Sequence, residues 1–401
     1  MFGKIFFYVI AIALFVIMFI KMMRKNEAIY LSSLILQAIG ILINFISLIF
    51  KLELNIFFII LTYLISVIIP IFIIGCEYKG INLTERIYMT LAKMYLMKKD
   101  NKNAKRILLA LIEKNDNVKN AHKMLAEIYE SEGGLRKAID EYIKVVDLDS
   151  NAYDSYYKIA ILLKELGNKE DSQEMLTKLV NKKPDYVEAS IALCDMLCSE
   201  ERYKEALSII NETARYNQNN FDIYYTMGMI YTMLNDFQSA KMCYEKAAII
   251  NTLEYNTNYN IAMIELILGE LEDAEKNFNK CIENEELSPL AYYQLAKIYM
   301  IKSDKDTAIK ALNVAIDLDN NLYKKAIEEP VFIPIKGYIN YPSIDEEDIE
   351  PKKSNASKKE LKVREHLEQT YNLVGKLNYK EIGVRYSSTT KDKIEERQIE
   401  Q

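Results

Sequence analysis

Ala104, Ala138, Ser172, Ala206, Ala240, Ala274 and Ala308 stand 34 residues apart, with no insertion or deletion between the first and the last. A fixed interval of that length implies one supersecondary unit, too short to bury its own apolar face, stacked on copies of itself. Twelve residues earlier in each unit runs a second series of small side chains: Ala92, Ala126, Ala160, Cys194, Gly228, Ala262 and Ala296. Three residues past that second series come Tyr95, Tyr129, Leu163, Leu197, Tyr231, Glu265 and Tyr299. Four past the first stand Leu108, Tyr142, Leu176, Ile210, Tyr244, Phe278 and Leu312. Steps of three and four are helical, so each unit reads as two amphipathic helices. Small residues belong where the two cross, and the large ones fill the space between neighbouring pairs.

The large-then-small pairs Leu91-Ala92, Leu125-Ala126, Ile159-Ala160 and Leu295-Ala296, the turn glycines Gly167 and Gly269 and the unit-closing Pro184 complete a pattern that resembles the tetratricopeptide repeat (TPR). The resemblance covers residues 85–322 as units 85–118, 119–152, 153–186, 187–220, 221–254, 255–288 and 289–322. It implies an all-α fold, a right-handed TPR α-solenoid of seven helix-turn-helix repeats; the apolar runs ahead of it add an expectation of three transmembrane helices. The chain departs from the family in having no Trp; Tyr88, Tyr156, Tyr224, Tyr292 or polar residues stand in its place. Glu265 replaces a packing tyrosine in the sixth unit, which predicts a loosened joint or a side chain turned to solvent.

Residues 1–76 form a membrane domain. Apolar runs over about 5–20, 29–50 and 54–75 approach or reach the ~20 residues that span a hydrocarbon core. The first is short enough for a secretory signal, but Lys21, Arg24 and Lys25 follow it where a small-residue cleavage site would stand, so it reads as an uncleaved span. The first loop holds these three positive charges and the second only Lys51 beside Glu53. The positive-inside rule then puts the N-terminus outside and the repeats in the cytoplasm of a multi-pass inner-membrane protein. Ser33, Gln37, Gly40, Asn44 and Ser47 line one face of the second span, and Thr62, Ser66 and Pro70 offer a facing stripe in the third. That pattern predicts a packing face, within the hairpin or between copies. An ion path is the less supported reading. The Ile-, Lys-, Asn- and Tyr-rich composition points to an AT-rich bacterial genome.

In TPR proteins the first helix of each repeat lines the groove that takes peptides. The resemblance therefore implies a peptide-binding groove at Tyr157, Tyr225, Thr226, Met229, Tyr259, Asn260, Met263, Tyr293, Gln294 and Lys297. Here tyrosines supply contact area and amides can bond an extended backbone. Ile191 interrupts the tyrosine ladder in the fourth unit. A clamp for terminal carboxylates is unsupported, because Met89, Asn120, Lys123, Asp154 and Lys158 are mixed in charge and type.

Catalysis and cofactors are not expected. His122 falls at a helix-packing position, His366 lies in the tail, and Cys76, Cys194, Cys198, Cys243 and Cys281 show no zinc or disulfide spacing. The chain carries a net charge of −6, most of the acid lying in the repeats, which disfavours nucleic acid.

After the repeats we expect a capping helix at 323–329, a linker at 330–356 broken by Pro330, Pro334 and Pro342, an amphipathic helix at 357–375 and a disordered tail at 376–401. Ser357 and Glu360 form a capping box, and Val363, Leu367, Tyr371 and Val374 make a stripe too small to fold alone. It must dock on a partner, on a second copy or in this chain's own groove, and the sequence leaves these open. The reading is a membrane-anchored scaffold whose partners are protein or peptide segments and the lipid bilayer, with self-association through the membrane helices or the C-terminal helix left open. The alternative is a membrane sensor, or an accessory subunit of a membrane enzyme or secretion assembly.

Overall fold

The structure, a computed structural model, describes residues 2–25, 28–50, 55–252, 254–340 and 360–371, and among these it is entirely helical. Two compact units divide the chain, residues 1–172 and 173–401.

The first unit opens with α1 (Phe2–Lys25) and α2 (Ala28–Ile49), followed by α3 (Ile56–Tyr63), which runs through a single π turn (Leu64–Ile68) into α4 (Ile69–Tyr78). Phe6–Arg24, Ile29–Ile49 and Ile56–Tyr78 are each long and apolar enough to cross a membrane. Most of their side chains face outward, as a lipid solvent allows. Phe7 meets Tyr63 with ring centroids 4.5 Å apart, and Lys21 pairs with Glu77 at 2.5 Å. Contacts near both ends make α1 and the α3–α4 rod parallel, with α2 running back between them.

The π turn has a local cause. Pro70 offers no N–H to the carbonyl of Ser66, four residues earlier, and a carbonyl left bare in an apolar medium is costly. Gln37 Nε2 donates to it at 2.9 Å and also to the Ala11 carbonyl at 3.2 Å, tying all three rods together. At Gly40 the second helix lies tight against the π turn: a Cβ there would lie 2.3 Å from Ser66 Oγ. Ser33, Gln37, Gly40 and Ser47 are buried, whereas Asn44 is half-buried and donates to the Gly40 carbonyl of its own helix at 2.9 Å.

Helical hairpins follow: α5 (Leu83–Met97) with α6 (Asn101–Lys114), α7 (Lys119–Ser131) with α8 (Leu135–Leu148), and α9 (Tyr153–Glu165) with α10 (Lys169–Lys182). Leu83 packs against the membrane-side cluster of Met18, Tyr30, Leu34 and Ile73. The second unit holds α11 (Val187–Ser199) with α12 (Tyr203–Tyr216), α13 (Phe221–Met233) with α14 (Phe237–Ile250), α15 (Tyr255–Leu268) with α16 (Leu271–Cys281), and α17 (Ser288–Ile301) with α18 (Lys305–Leu318).

Both small series are fully buried. Where the small residue carries a polar atom it bonds the facing helix: Ser172 Oγ donates to the Ala160 carbonyl at 2.7 Å, and Cys194 Sγ to the Ala206 carbonyl at 3.3 Å. The hairpin turn repeats as well. Lys99, Gly133, Gly167, Glu201, Asn235, Gly269 and Ser303 all take positive φ, between 58° and 84°. One left-handed residue ends each first helix, and only three of the seven are the glycines such a cap prefers. The next residue is a side-chain N-cap at Asp100, Asp236 and Asp304, which accept from the N–H three residues on.

Three expectations are corrected. Glu265 neither faces solvent nor loosens its joint: it is buried, pairs with Lys241 of the preceding hairpin at 3.0 Å and accepts from Asn277 Nδ2 at 2.8 Å. A buried carboxylate persists when it is paired and hydrogen-bonded. The linker does not begin at Pro330. Beyond α19 (Asn321–Glu328), Pro330–Tyr338 winds as a 3₁₀ helix. Proline costs no donor at a first position, and Val331, Phe332 and Ile335 are buried, Phe332 edge-on to Tyr293 at 5.5 Å. The third apolar helix runs past residue 75 to Tyr78, with Glu77 paired to Lys21. The rest of the expected linker, the ends of the expected 357–375 helix and the expected 376–401 tail lie outside the described residues.

Candidate functional site: the inner helices and the C-terminal helix

Each first helix carries three positions around its small residue, three and two before it and one after it. In the last three hairpins they are Tyr225, Thr226 and Met229; Tyr259, Asn260 and Met263; and Tyr293, Gln294 and Lys297. All nine are buried. The corresponding residues of the first four hairpins are Met89, Thr90 and Lys93; Lys123, Met124 and Glu127; Tyr157, Lys158 and Ile161; and Ile191, Ala192 and Asp195. None of these is buried.

The cover over the last three hairpins is a helix at residues 360–371, α20. Val363, Leu367 and Tyr371, each four residues from the next, are 3, 0 and 6% exposed. Its polar contacts trace its path. Tyr225 OH donates to Glu360 Oε1 at 3.4 Å, so the helix begins over α13. Arg364 bonds Asn256 and stands over the Tyr259 ring at 5.6 Å, both on α15. His366 Nε2 donates to Asn235 Oδ1, in the turn after α13, at 3.1 Å. Glu368 pairs with Lys325 of α19, and Tyr371 lies 5.2 Å from the Lys297 ammonium on α17. The helix therefore crosses three successive inner helices and reaches the cap.

Beneath it the tyrosines stack on the hairpin cores. Tyr225 packs on Phe221 and edge-on to Tyr244, and Tyr259 edge-on to Phe278. Burial pushes both phenols well above their usual range. The amide ladder bonds inward: Asn260 Nδ2 donates to Tyr225 OH at 3.4 Å. Lys297 has no exposed surface; it pairs with Glu329 at 3.2 Å and stands over Tyr293 at 5.0 Å. Its burial pulls the ammonium below the ordinary lysine range, against the opposing pull of Glu329.

Comparison with known proteins decides what these hairpins are. Family models described as the tetratricopeptide repeat match residues 154–186, 221–251, 255–286 and 290–322. The chain carries tetratricopeptide repeats. The TPR repeat-containing protein YpiA of Bacillus subtilis (strain 168) is 24% identical over 123 residues, 31% of this chain and 29% of that relative, so the chain spans under a third of the curated relative's length. The C-terminal part of a TPR repeat-containing protein from Cytophaga hutchinsonii superposes with a TM-score of 0.50 at 14% identity, covering 58% of this chain and 95% of that one. A tetratricopeptide repeat protein from Parabacteroides merdae ATCC 43184 gives 0.42 at 15% identity, covering 60 and 96%. At 14% identity the Cytophaga likeness establishes the TPR fold and nothing finer.

The TPR frame accounts for the remaining polar residues. His122 is buried at its packing position with both ring nitrogens engaged, Nδ1 with Glu141 at 2.7 Å and Nε2 with the Asp116 carbonyl at 2.9 Å. Burial raises the Cys243 and Cys281 thiols to about 11 and about 12, which suits structural rather than reactive sulfur. Tyr157, the remaining groove residue of the sequence reading, is half-buried on α9 in the first unit, whereas the other nine stand together in the second.

Proposed function

We propose that this chain is a membrane-anchored scaffold that captures protein segments on the inner helices of its last TPR units and has no chemistry of its own. One observation carries the reading: the surface formed by Tyr225, Tyr259, Asn260, Tyr293 and Lys297 already holds a polypeptide segment, residues 360–371, through apolar, hydrogen-bonded and charged contacts. TPR domains mediate protein–protein interaction, and the three apolar helices supply an anchor. Lys21, Arg24 and Lys25 after the first span favour repeats on the cytoplasmic side of a bacterial inner membrane. The acidic repeats favour protein over nucleic acid as partner.

Changing Tyr225, Tyr259 and Asn260 together to alanine abolishes capture of partners in cross-linking pulldowns from membranes while far-UV circular dichroism stays unchanged. Capture that survives the triple change moves the binding surface elsewhere. Protease added outside intact cells leaves the repeats uncut; their digestion reverses the topology.

A further inference from the structure

Resting on that reading, we infer that residues 360–371 are a displaceable plug, and that the partner of the groove is an amphipathic α-helix of the same pattern supplied in trans. The resident helix specifies what the surface recognises. Apolar side chains four residues apart stand at Val363, Leu367 and Tyr371; a basic residue follows the first, reaching Asn256 and the Tyr259 ring; an acid follows the second, reaching Lys325. A partner helix reading apolar-Arg-x-x-apolar-acid-x-x-aromatic meets the same contacts. An extended strand does not, because its side chains repeat every two residues rather than every three to four.

Three features keep the plug removable. Only three apolar side chains of the twelve-residue helix are buried, against the conformational entropy of ordering the whole segment. The ion pair to Lys325 is part exposed, 37% on the lysine and 27% on Glu368, so solvent weakens it. The plugged state also carries unfavourable burial: Lys297 is wholly enclosed, and the buried Gln294 Oε1 has no hydrogen-bond partner among the described residues. A partner helix that brings a donor for Gln294 binds where the resident helix leaves that oxygen unserved.

The plug competes by tether rather than by strength. Residues 341–359 join it to the cap. A covalent connection of that length confers an effective concentration of about a millimolar, which a free ligand must exceed.

The test uses the full chain in lipid nanodiscs and, as probe, a fluorescent peptide of residues 357–375. The variant Leu367→Asp, whose own helix cannot seat, binds the probe about ten-fold or more tightly than the unaltered chain does, as expected when the competent state is no longer masked. A second chain, ended at residue 356, does the same and covers the case in which the aspartate disturbs folding. A probe that itself carries Leu367→Asp binds neither variant chain. Equal probe binding by plugged and unplugged chains, or none by either unplugged chain at unchanged helicity, overturns the inference. A photo-cross-linking residue at His366 gives cross-links at monomer mass; cross-linked dimers would assign the helix to a second copy and also overturn it. Failure here with a positive alanine-triple pulldown removes only the plug, whereas failure of both removes the scaffold reading itself.

Discussion

The inner helices of the first four hairpins and those of the last three share one register yet have opposite surfaces. Glu127 and Met263 occupy the same repeat position; Glu127 is exposed and Met263 is 1% exposed. Lys93 and Lys297 occupy it too, one in water and one with no exposed surface. The period determines which residues cross and pack inside a hairpin, but leaves these positions free. They take their character from what covers them. The difference teaches that a repeat array can keep one scaffold while giving a covered inner surface to only a few of its members.

Interchanging the two members of that pair breaks the comparison most directly. Met263→Glu puts a carboxylate under α20 and costs about 3 kcal/mol in chemical unfolding, or is met by release of residues 360–371 in hydrogen exchange. Glu127→Met, at the uncovered counterpart, stays within about 0.5 kcal/mol. Equal effects would erase the distinction between the two regions. Gly228→Ala comes next. Its Cβ would lie 2.8 Å from the Tyr244 ring, where the other hairpins accommodate alanine or cysteine, so overpacking costs about 1–3 kcal/mol. An unchanged melting midpoint would refute the tight crossing.

A smaller effect tests what the regions have in common. Glu201→Gly relieves a left-handed non-glycine turn and stabilises by up to about 1 kcal/mol, whereas Gly133→Ala at the equivalent turn destabilises by a similar amount. The smallest effect is on pH. Burial holds the docked His366 imidazole below its ordinary range, so the docked state binds fewer protons than the free helix. Docking is therefore complete above the free value of about 6.5 and weakens as pH falls through it. Exchange protection of residues 360–371 should fall between pH 7.5 and 5.5, and His366→Gln should remove that dependence.

Much of the hairpin architecture was legible because the small residues have a hard steric job that tolerates little but Ala, Ser, Cys or Gly. The turns were legible only where glycine filled them. Lys99, Glu201, Asn235 and Ser303 carry the same left-handed backbone with no compositional mark. Glu265 misled, because a lone acid in an apolar slot reads as a defect until Lys241, in the preceding hairpin, is placed beside it. Pro330 and Pro334 read as breakers, since sequence does not reveal that Phe332 finds Tyr293. The groove residues were named from family position, and the stripe at Val363, Leu367 and Tyr371 was recognised as needing a surface. Its destination depends on three-dimensional matching of Arg364 with Asn256, 108 residues upstream, and of Glu368 with Lys325, 43 residues upstream, which no local pattern encodes.

Only residues 79–82 separate the last bundle helix from the first hairpin, and Leu83 is wedged among side chains of the bundle itself. That joint makes the anchor a pedestal rather than a leash. The first hairpin cannot swing independently of the apolar helices, so a tilt of the bundle would tilt that hairpin with it.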